Sequence, residues 1–363
     1  MTLEAPDTIT TDRSGITENR HFVHVAITDS TGRLLFAVGN PQRMTLLRSA
    51  AKPAQAVAIL ETGCFERFLQ LDDADLALIC ASHSSEERHI ERVRGMLNTI
   101  NAGEEDLACG GHASISEGVN REWIRAGYIP TAIANNCSGK HVGIVAGCRA
   151  VGAELKGYHS PDHPMQVRVK KVVEELSGLK GDEVRWGIDG CNLPAPAMPL
   201  QNMARVYATV AGAADIVSKS EGSGIKLSWS SRTQALARVF HAMSGYPELV
   251  GGEGRFCTEL MRVFKGTVIG KVGADGCYGV GVRASEATRR LGAVGTIGIA
   301  VKIEDGNLAV LYSAVAEILE RLEIGTEEVV MRLKEFHRPD ILNTAGVVTG
   351  GYSHLFEVRR VAI

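Results

Sequence analysis

The sequence predicts an α/β chain of the α+β type: a mixed, largely antiparallel sheet built from N- and C-terminal strands, packed with helices, plus a helix-rich middle. Three observations point there. Alternating apolar and polar residues flank a turn near the N-terminus, strand character returns after residue 265, and the stretch between carries the 3.6-residue apolar periodicity of helices. No repeat, linker or low-complexity tract divides the chain. One interlocked unit is therefore expected, with a sheet part at about 15–80 and 265–363, a helix-rich part at about 81–264, and the active site between them.

The elements follow in order. "HFVHVAITDSTGRLLFAVGN" alternates around "DSTG", a hairpin signature. "PAQAVAILETG" is a short apolar helix closed by Gly63. "DLALICASHSSEERHIERVRGMLNTI" reads as strand, loop and helix, with Ser84 and Glu87 as a capping box and Ile90, Val93, Leu97 and Ile100 as the buried stripe. Ser82 and His83 then fall in the loop leaving a buried strand. "SPDHPMQVRVKKVVEELSG" starts with Ser160 as cap and Pro161 at the first helical position, and stops at Gly178; Met165, Val169, Val172, Val173 and Leu176 form its apolar face. "IANNCSGKHVG" and "WGIDGCNLPAPAMP" read as loops. "TVIGKVGADGCYGVGVRAS" and "AVGTIGIAVKIEDGN" return to strands, before the helix "LAVLYSAVAEILERL" and a last strand near 345–360.

Bulk properties narrow the function classes. A formal charge of -3, with Lys and Arg spread along the chain, argues against a nucleic-acid or acidic-membrane partner. The start "MTLEAPDTITTDRSG" has neither a basic nor an apolar signal region, and its first dozen residues read as disordered. No run reaches bilayer-spanning length. The eight cysteines lie far apart, which suits reduced thiols in a cytoplasmic protein better than a disulfide framework.

The chemistry starts at "RSAAKPAQAVAILE". If Ser49 caps the helix, Ser49 and Lys52 face the same side, and Pro53 falls in the first turn, where a missing N–H matters least. A lysine amine there can take a serine proton, the Ser-Lys arrangement of serine acyl-transfer enzymes. A capping serine beside a surface lysine gives the same four letters. Lys271-Val272-Gly273, on a strand late in the chain, parallels the K-T-G strand of serine β-lactamases, with valine in place of threonine and no recognisable middle serine motif.

Longer motifs sharpen the reading. "MTLLRSAAKPAQAVAILETG", "CASHSSEERHI", "NNCSGKHVG", "YHSPDHPMQ", "GIDGCNLPAPAMPL" and "GKVGADGCYGVGVRAS", in this order, resemble the class 3, rhizobial-type L-asparaginase family along nearly the whole chain. The resemblance implies a fold like that of serine β-lactamases and serine glutaminases, hydrolysis of L-asparagine to L-aspartate and ammonia, and a homodimer. It also implies two Ser-Lys tandems, Ser49 with Lys52 and Ser82 with Lys271. A zinc ion (Zn2+) held by Cys137, Lys140 and Cys191 is implied too, with Arg48, His141 and Asp189 as neighbours of the substrate. Without the resemblance, two cysteines in a reduced protein read as two small buried side chains, and Arg48 and Asp189 as a surface ion pair and a turn residue before Gly190.

The residues make chemical sense of this. A free lysine titrates near 10.4, so a lysine base has to be pushed down by burial or neighbouring cations, and Arg48, Lys52, Lys140 and Lys271 would converge here. Ser49 would attack the side-chain amide, and Ser82, poised by Lys271, would relay a proton to the leaving amine; exchanging the parts of the two serines is equally consistent with the letters. A lysine ligand must shed its proton, so zinc affinity should rise with pH, and the metal is expected to orient substrate and leave the covalent step to serine. Arg48 has the charge to hold the substrate carboxylate, and Asp189 its ammonium. A serine glutaminase or β-lactam hydrolase on the same fold, and a non-catalytic zinc or amino-acid binding protein, are the competing readings. "CSGKH" lacks the first glycine and the Ser/Thr of a phosphate-binding loop, and His83 and His89 lack helical i, i+4 ligand spacing.

Overall fold

A computed structural model describes residues 7–223 and 230–362. Read from the N-terminus, β1 (Thr8–Arg13), β2 (Ile16–Asp29), β3 (Leu34–Val38) and β4 (Met44–Leu46) lead through a 3-10 turn (Arg48–Ala51) into the helices. These are α1 (Lys52–Leu60), α2 (Cys64–Arg67), α3 (Asp73–Ile79), α4 (Glu87–Thr99), α5 (Glu117–Ala126), α6 (Ser138–Val151) and α7 (Pro164–Ser177). The hairpin β5 (Arg185–Ile188) and β6 (Pro194–Pro199) precedes α8 (Leu200–Ser223), α9 (Ser231–Gly245), α10 (Pro247–Val250) and α11 (Phe256–Phe264). Strands return as β7 (Val268–Gly273), β8 (Cys277–Val282) and β9 (Ile297–Ile303), with α12 (Glu286–Arg290) between the last two. The chain closes with α13 (Leu308–Arg321), α14 (Glu327–Arg332), α15 (Lys334–His337), β10 (Ile341–Leu342), β11 (Val348–Gly350), β12 (Tyr352–Leu355) and β13 (Arg359–Arg360).

Two compact units emerge, each assembled from separate stretches. The sheet unit takes the chain up to Leu47, Met198–Gly212 and everything from Gly270 onward; the helical unit takes Arg48–Ala197 and Ala213–Ile269. The α+β class expected from the sequence is what forms. In the sheet unit the strand order is β12-β1-β2-β9-β8-β7, with β3 pairing β2 and β13. The β1–β2, β2–β3, β2–β9 and β8–β9 ladders are antiparallel. β2 is long enough to pair β1 with its first half and both β3 and β9 with its second. The start of α8 lies hard against the sheet because two strand residues are glycines. A Cβ at Gly298 would sit 1.8 Å from the Ala204 carbonyl, and one at Gly279 would enter the Tyr207 ring.

In the helical unit α1 is the buried rod: every residue from Lys52 to Leu60 is inside. The fully buried Val57 and Ile59 contribute about 1.5–3 kcal/mol each by leaving water. α6 approaches α3 and α1 closely through Gly139 and Gly143. A Cβ at Gly139 would stand 2.4 Å from the Leu78 carbonyl, and one at Gly143 would meet Ile79 and Ile59. These contacts bring the first turns of α1 and α6 together with the end of α3.

Several local readings change. Residues 75–79 lie in a helix, α3, where a strand was expected: five apolar-rich residues do not separate the two by period, and Asp72 with Asp75 closes a capping box. Ser82 and His83 therefore leave a buried helix. α4 is capped at Glu86, whose backbone N–H donates to His89, while Ser84 donates to the Gly251 carbonyl instead. α7 starts one turn later than expected, with His163 as cap and Pro164 in the first turn, and stops at Gly178 as the sequence indicated. "SGKHVG" is the first part of α6, where a loop was expected, because its glycines serve helix contact and not turning. Thr8–Arg13 is strand where disorder was expected, and residues 1–6 fall outside the described residues. The buried stripes expected of α4 and α7 are buried. All eight cysteines are buried and none is in a disulfide, and no helix among the described residues is long and apolar enough to cross a membrane.

Candidate active site

Ser49 does not cap α1. The helix begins at Lys52 after the 3-10 turn, Ala51 is its cap residue, and Arg48 enters that turn at φ +49°. Lys52 runs inward and is fully buried. Its ammonium spends its three protons on the Ala81 carbonyl, on Ser82 Oγ at 3.2 Å and on Cys137 Sγ at 3.1 Å. Ser49 is half-buried, and its hydroxyl makes no hydrogen bond among the described residues. The lysine expected beside Ser49 thus meets Ser82.

The loop after α3 holds Ser82 by its backbone and by its neighbours' side chains. Ser82 N–H donates to the Val250 carbonyl at 3.0 Å, and His83 N–H to the Asn136 carbonyl at 3.2 Å. Ser85, at φ +56°, donates its hydroxyl to the Ala134 carbonyl, and Ser114 donates to the Ser84 carbonyl. His83 accepts the Ser85 N–H at Nδ1, so its Nε2–H donates to Ser138 Oγ at 2.9 Å. Burial first, then His89 and Lys52, push this imidazole well below its ordinary range and keep it neutral.

Cys137, Lys140 and His141 come from the start of α6, and Asp189 and Cys191 from the turn between β5 and β6. Lys140 Nζ lies 3.1 Å from Cys191 Sγ. The hydrogen bond from Cys137 brings Cys191 down to about 5 against its burial, with Lys140 helping. The same bond, with burial, pushes Cys137 up to about 12. Burial works against the Lys140 charge, but Cys191, Cys137 and Asp189 outweigh it and hold the ammonium protonated. Two sulfurs and an amine are a donor set suited to a borderline-soft divalent ion such as zinc, so these residues fit the metal that the resemblance implies.

Arg48 Nε donates to Asp189 Oδ1 at 2.5 Å, and the Gly190 N–H donates to the same oxygen at 2.8 Å. Burial pushes the Asp189 carboxyl up, but Lys140 and Arg48 outweigh it and hold the group ionised. The two residues expected to hold opposite ends of a substrate are here each other's ion pair. His141 is fully buried; burial and then Lys140 push it down to about 3. Lys271, on β7 of the sheet unit, is buried and donates to its neighbour Val272's carbonyl at 2.9 Å.

Ser82, Lys52, Cys137, Lys140, Cys191, His141, Asp189 and Arg48 all belong to the helical unit, bound through the contacts above. A family model described as L-asparaginase II matches residues 9–354. The chain belongs to the L-asparaginase II family. Membership makes it an asparaginase-type amidohydrolase, the class that the longer motifs' resemblance implied. No curated protein matches the chain. Reading this L-asparaginase II family member by its letters misses Tyr158, Ser138 and Asn135, which fix His141, His83 and Cys137 respectively. Tyr158 sits inside the quoted motif "YHSPDHPMQ", but nothing in its spacing ties it to His141.

Proposed function

We propose that the protein hydrolyses L-asparagine to L-aspartate and ammonia through a serine acyl-enzyme activated by lysine. The observation that carries this reading is the buried Lys52 ammonium at 3.2 Å from Ser82 Oγ. After Lys52 gives up one proton, its lone pair takes the Ser82 proton as Oγ bonds to the side-chain amide carbon. Collapse of the tetrahedral adduct breaks the C–N bond, and the proton on Lys52 leaves with the amine as ammonia. Water, deprotonated by Lys52 in turn, attacks the ester carbon; the C–Oγ bond breaks, Lys52 returns that proton to Ser82 Oγ, and aspartate is released. Ser82 thus takes the attacking part first assigned to Ser49, because Lys52 reaches Ser82. The hydroxyl of Ser49 stays available as a donor, and Lys271 as the lysine of the second tandem is part of the same proposal.

The Arg48–Asp189 pair supplies one fixed positive and one fixed negative group for an amino-acid zwitterion. Cys137, Lys140 and Cys191 would hold zinc, which when bound supplies positive charge that orients the substrate. The homodimer implied by the resemblance is proposed with it, and sedimentation tests it. The function itself is tested by ammonia release from asparagine, glutamine and a β-lactam, for wild type and Lys52→Arg. Asparagine should be preferred, and Lys52→Arg, which keeps the charge but cannot serve as base, should lose at least about two orders of magnitude. Equal or faster turnover of glutamine overturns the substrate, and an active Lys52→Arg overturns the mechanism.

A further inference from the structure

His89 is fully buried in the first turn of α4, and both of its ring nitrogens are taken up by backbone groups. The Glu86 N–H donates to Nδ1 at 3.1 Å, so the imidazole carries its proton on Nε2 and donates it to the Glu248 carbonyl at 2.9 Å. A backbone N–H only donates and a carbonyl only accepts, which leaves no other neutral tautomer. With neither nitrogen open to a substrate, this ring is not an acid or a base. It is a rigid, two-ended tie from the start of α4 to α10, 159 positions along the chain.

The serine loop is fastened to the same place. Ser82 N–H donates to the Val250 carbonyl at 3.0 Å, and Ser84 Oγ donates to the Gly251 carbonyl at 3.0 Å. Gly252 follows at φ +122°, and a Cβ there would stand 2.5 Å from Ser84 Oγ and 2.6 Å from Glu86 Oε1, so loop and α10 meet without spare room. The carbonyls that receive His89 and Ser82 belong to Glu248 and Val250, within the single turn of α10, and a shift of one carries the other. His89 also lies flat on His83, the residue after Ser82, with ring centroids 5.1 Å apart and planes 13° apart. His83 in turn accepts the Ser85 N–H and donates to Ser138 Oγ.

We propose that His89 is a positioning residue for the reaction: by holding α10 and the His83 ring, it sets where Ser82 Oγ stands relative to the Lys52 amine, 3.2 Å away. The role rests on the serine mechanism proposed above. The Lys52 amine is also tied to Cys137, at the cap of α6, so releasing α10 displaces the serine more than the amine. Attack depends steeply on that separation, because a small misplacement of reacting groups costs far more rate than binding.

The test compares His89→Phe, which keeps a ring against His83 but loses both hydrogen bonds, with His89→Gln, whose amide can still donate to the Glu248 carbonyl. Two rates are read on folded protein: ammonia release from asparagine, and phosphonylation of Ser82 by a fluorophosphonate, in which Oγ bonds to phosphorus and fluoride leaves, mapped by peptide mass spectrometry. In His89→Phe both kcat and the labelling rate should fall at least about tenfold with KM changed far less, and His89→Gln should recover most of the loss. In the wild type, nitrogen-15 NMR should find His89 neutral with its proton on Nε2, a readout that needs no variant to fold. A His89→Phe protein that keeps wild-type labelling and kcat, a loss carried by KM, a His89→Gln protein no faster than His89→Phe, or a wild-type ring protonated on Nδ1 overturns the positioning role. Failure of the substrate reading looks different: no ammonia from asparagine, with Ser82 still labelled at a rate that depends on His89. No label on wild-type Ser82 refutes the serine mechanism and the positioning role with it.

Discussion

Two buried polar clusters of this protein are built on opposite plans. In the sheet unit, Glu317 accepts from Arg321 at 2.7 Å, from His337 at 2.6 Å and from Arg338 at 3.1 Å, and faces His354 Nδ1 at 3.2 Å. Ser313 completes the ring by donating to the His337 carbonyl while His354 Nε2 donates to it. Glu317, His337 and His354 offer ligand atoms close enough to hold a metal, but two guanidiniums already neutralise the carboxylate. In the helical unit lysines face thiols, with Lys52 3.1 Å from Cys137 Sγ and Lys140 3.1 Å from Cys191 Sγ. The first cluster is electrically finished and ties α13, α15 and β12 together. The second sets sulfurs against cationic amines and holds Ser82 beside one of those amines, which is the arrangement of a reactive site.

Breaking each cluster should separate these roles. Lys52→Met should cost about two to four orders of magnitude in kcat with the circular dichroism spectrum unchanged. Glu317→Ala should do the reverse. Removing the carboxylate takes the acceptor from the buried His337 and half-buried His354, while the exposed Arg321 and Arg338 keep the Phe356 carbonyl and Glu320. The loss should be about 1–3 kcal/mol of stability, read by denaturant unfolding, with turnover per folded molecule unchanged.

Metal binding sharpens the contrast next. Cys137→Ser should lower zinc affinity at least about tenfold, measured by competition with a chromophoric chelator, whereas His354→Gln should leave it alone. Zinc retained by Cys137→Ser and lost from His354→Gln would exchange the two clusters' roles.

The smallest effect is in pH. Burial, against the pull of Glu317, brings His354 down to about 4. The unfolded chain takes up a proton below about 6.5 that the folded protein refuses, so this group's contribution makes stability fall as pH drops from about 6.5 to about 4. Glu317 is held well below its ordinary range by His337, His354 and the arginines, which outweigh its burial, so its contribution is present above the ordinary carboxylate range and lost only in stronger acid. The loss between pH 6.5 and 4 should amount to about 1–3 kcal/mol and be smaller in His354→Gln, by unfolding at several pH values.

How much of this was legible in the letters follows from distance along the chain. Stripes such as Ile90, Val93 and Leu97, and stops such as Gly178, are local patterns, and they fold as written. The start of α3 was legible too, in Asp72 and Asp75, but five apolar-rich residues drew the reading to a strand. Ser49 and Lys52 invited pairing because they are neighbours; an extended lysine instead reaches residues 29 and 85 positions on. The glycines of "SGKHVG" looked like turn residues, because only the packed structure shows α3 occupying the space their side chains would need. Tyr158 carries no spacing signal at all, since its role depends on where α6 delivers His141.

Acid-quenched mapping of the trapped aspartyl ester by peptide mass spectrometry tests the partnership of Lys52 with Ser82 most directly. The ester should lie on Ser82 in wild type and fail to accumulate in Lys52→Met. An ester on Ser49, or one formed as readily without the Lys52 amine, would contradict the account.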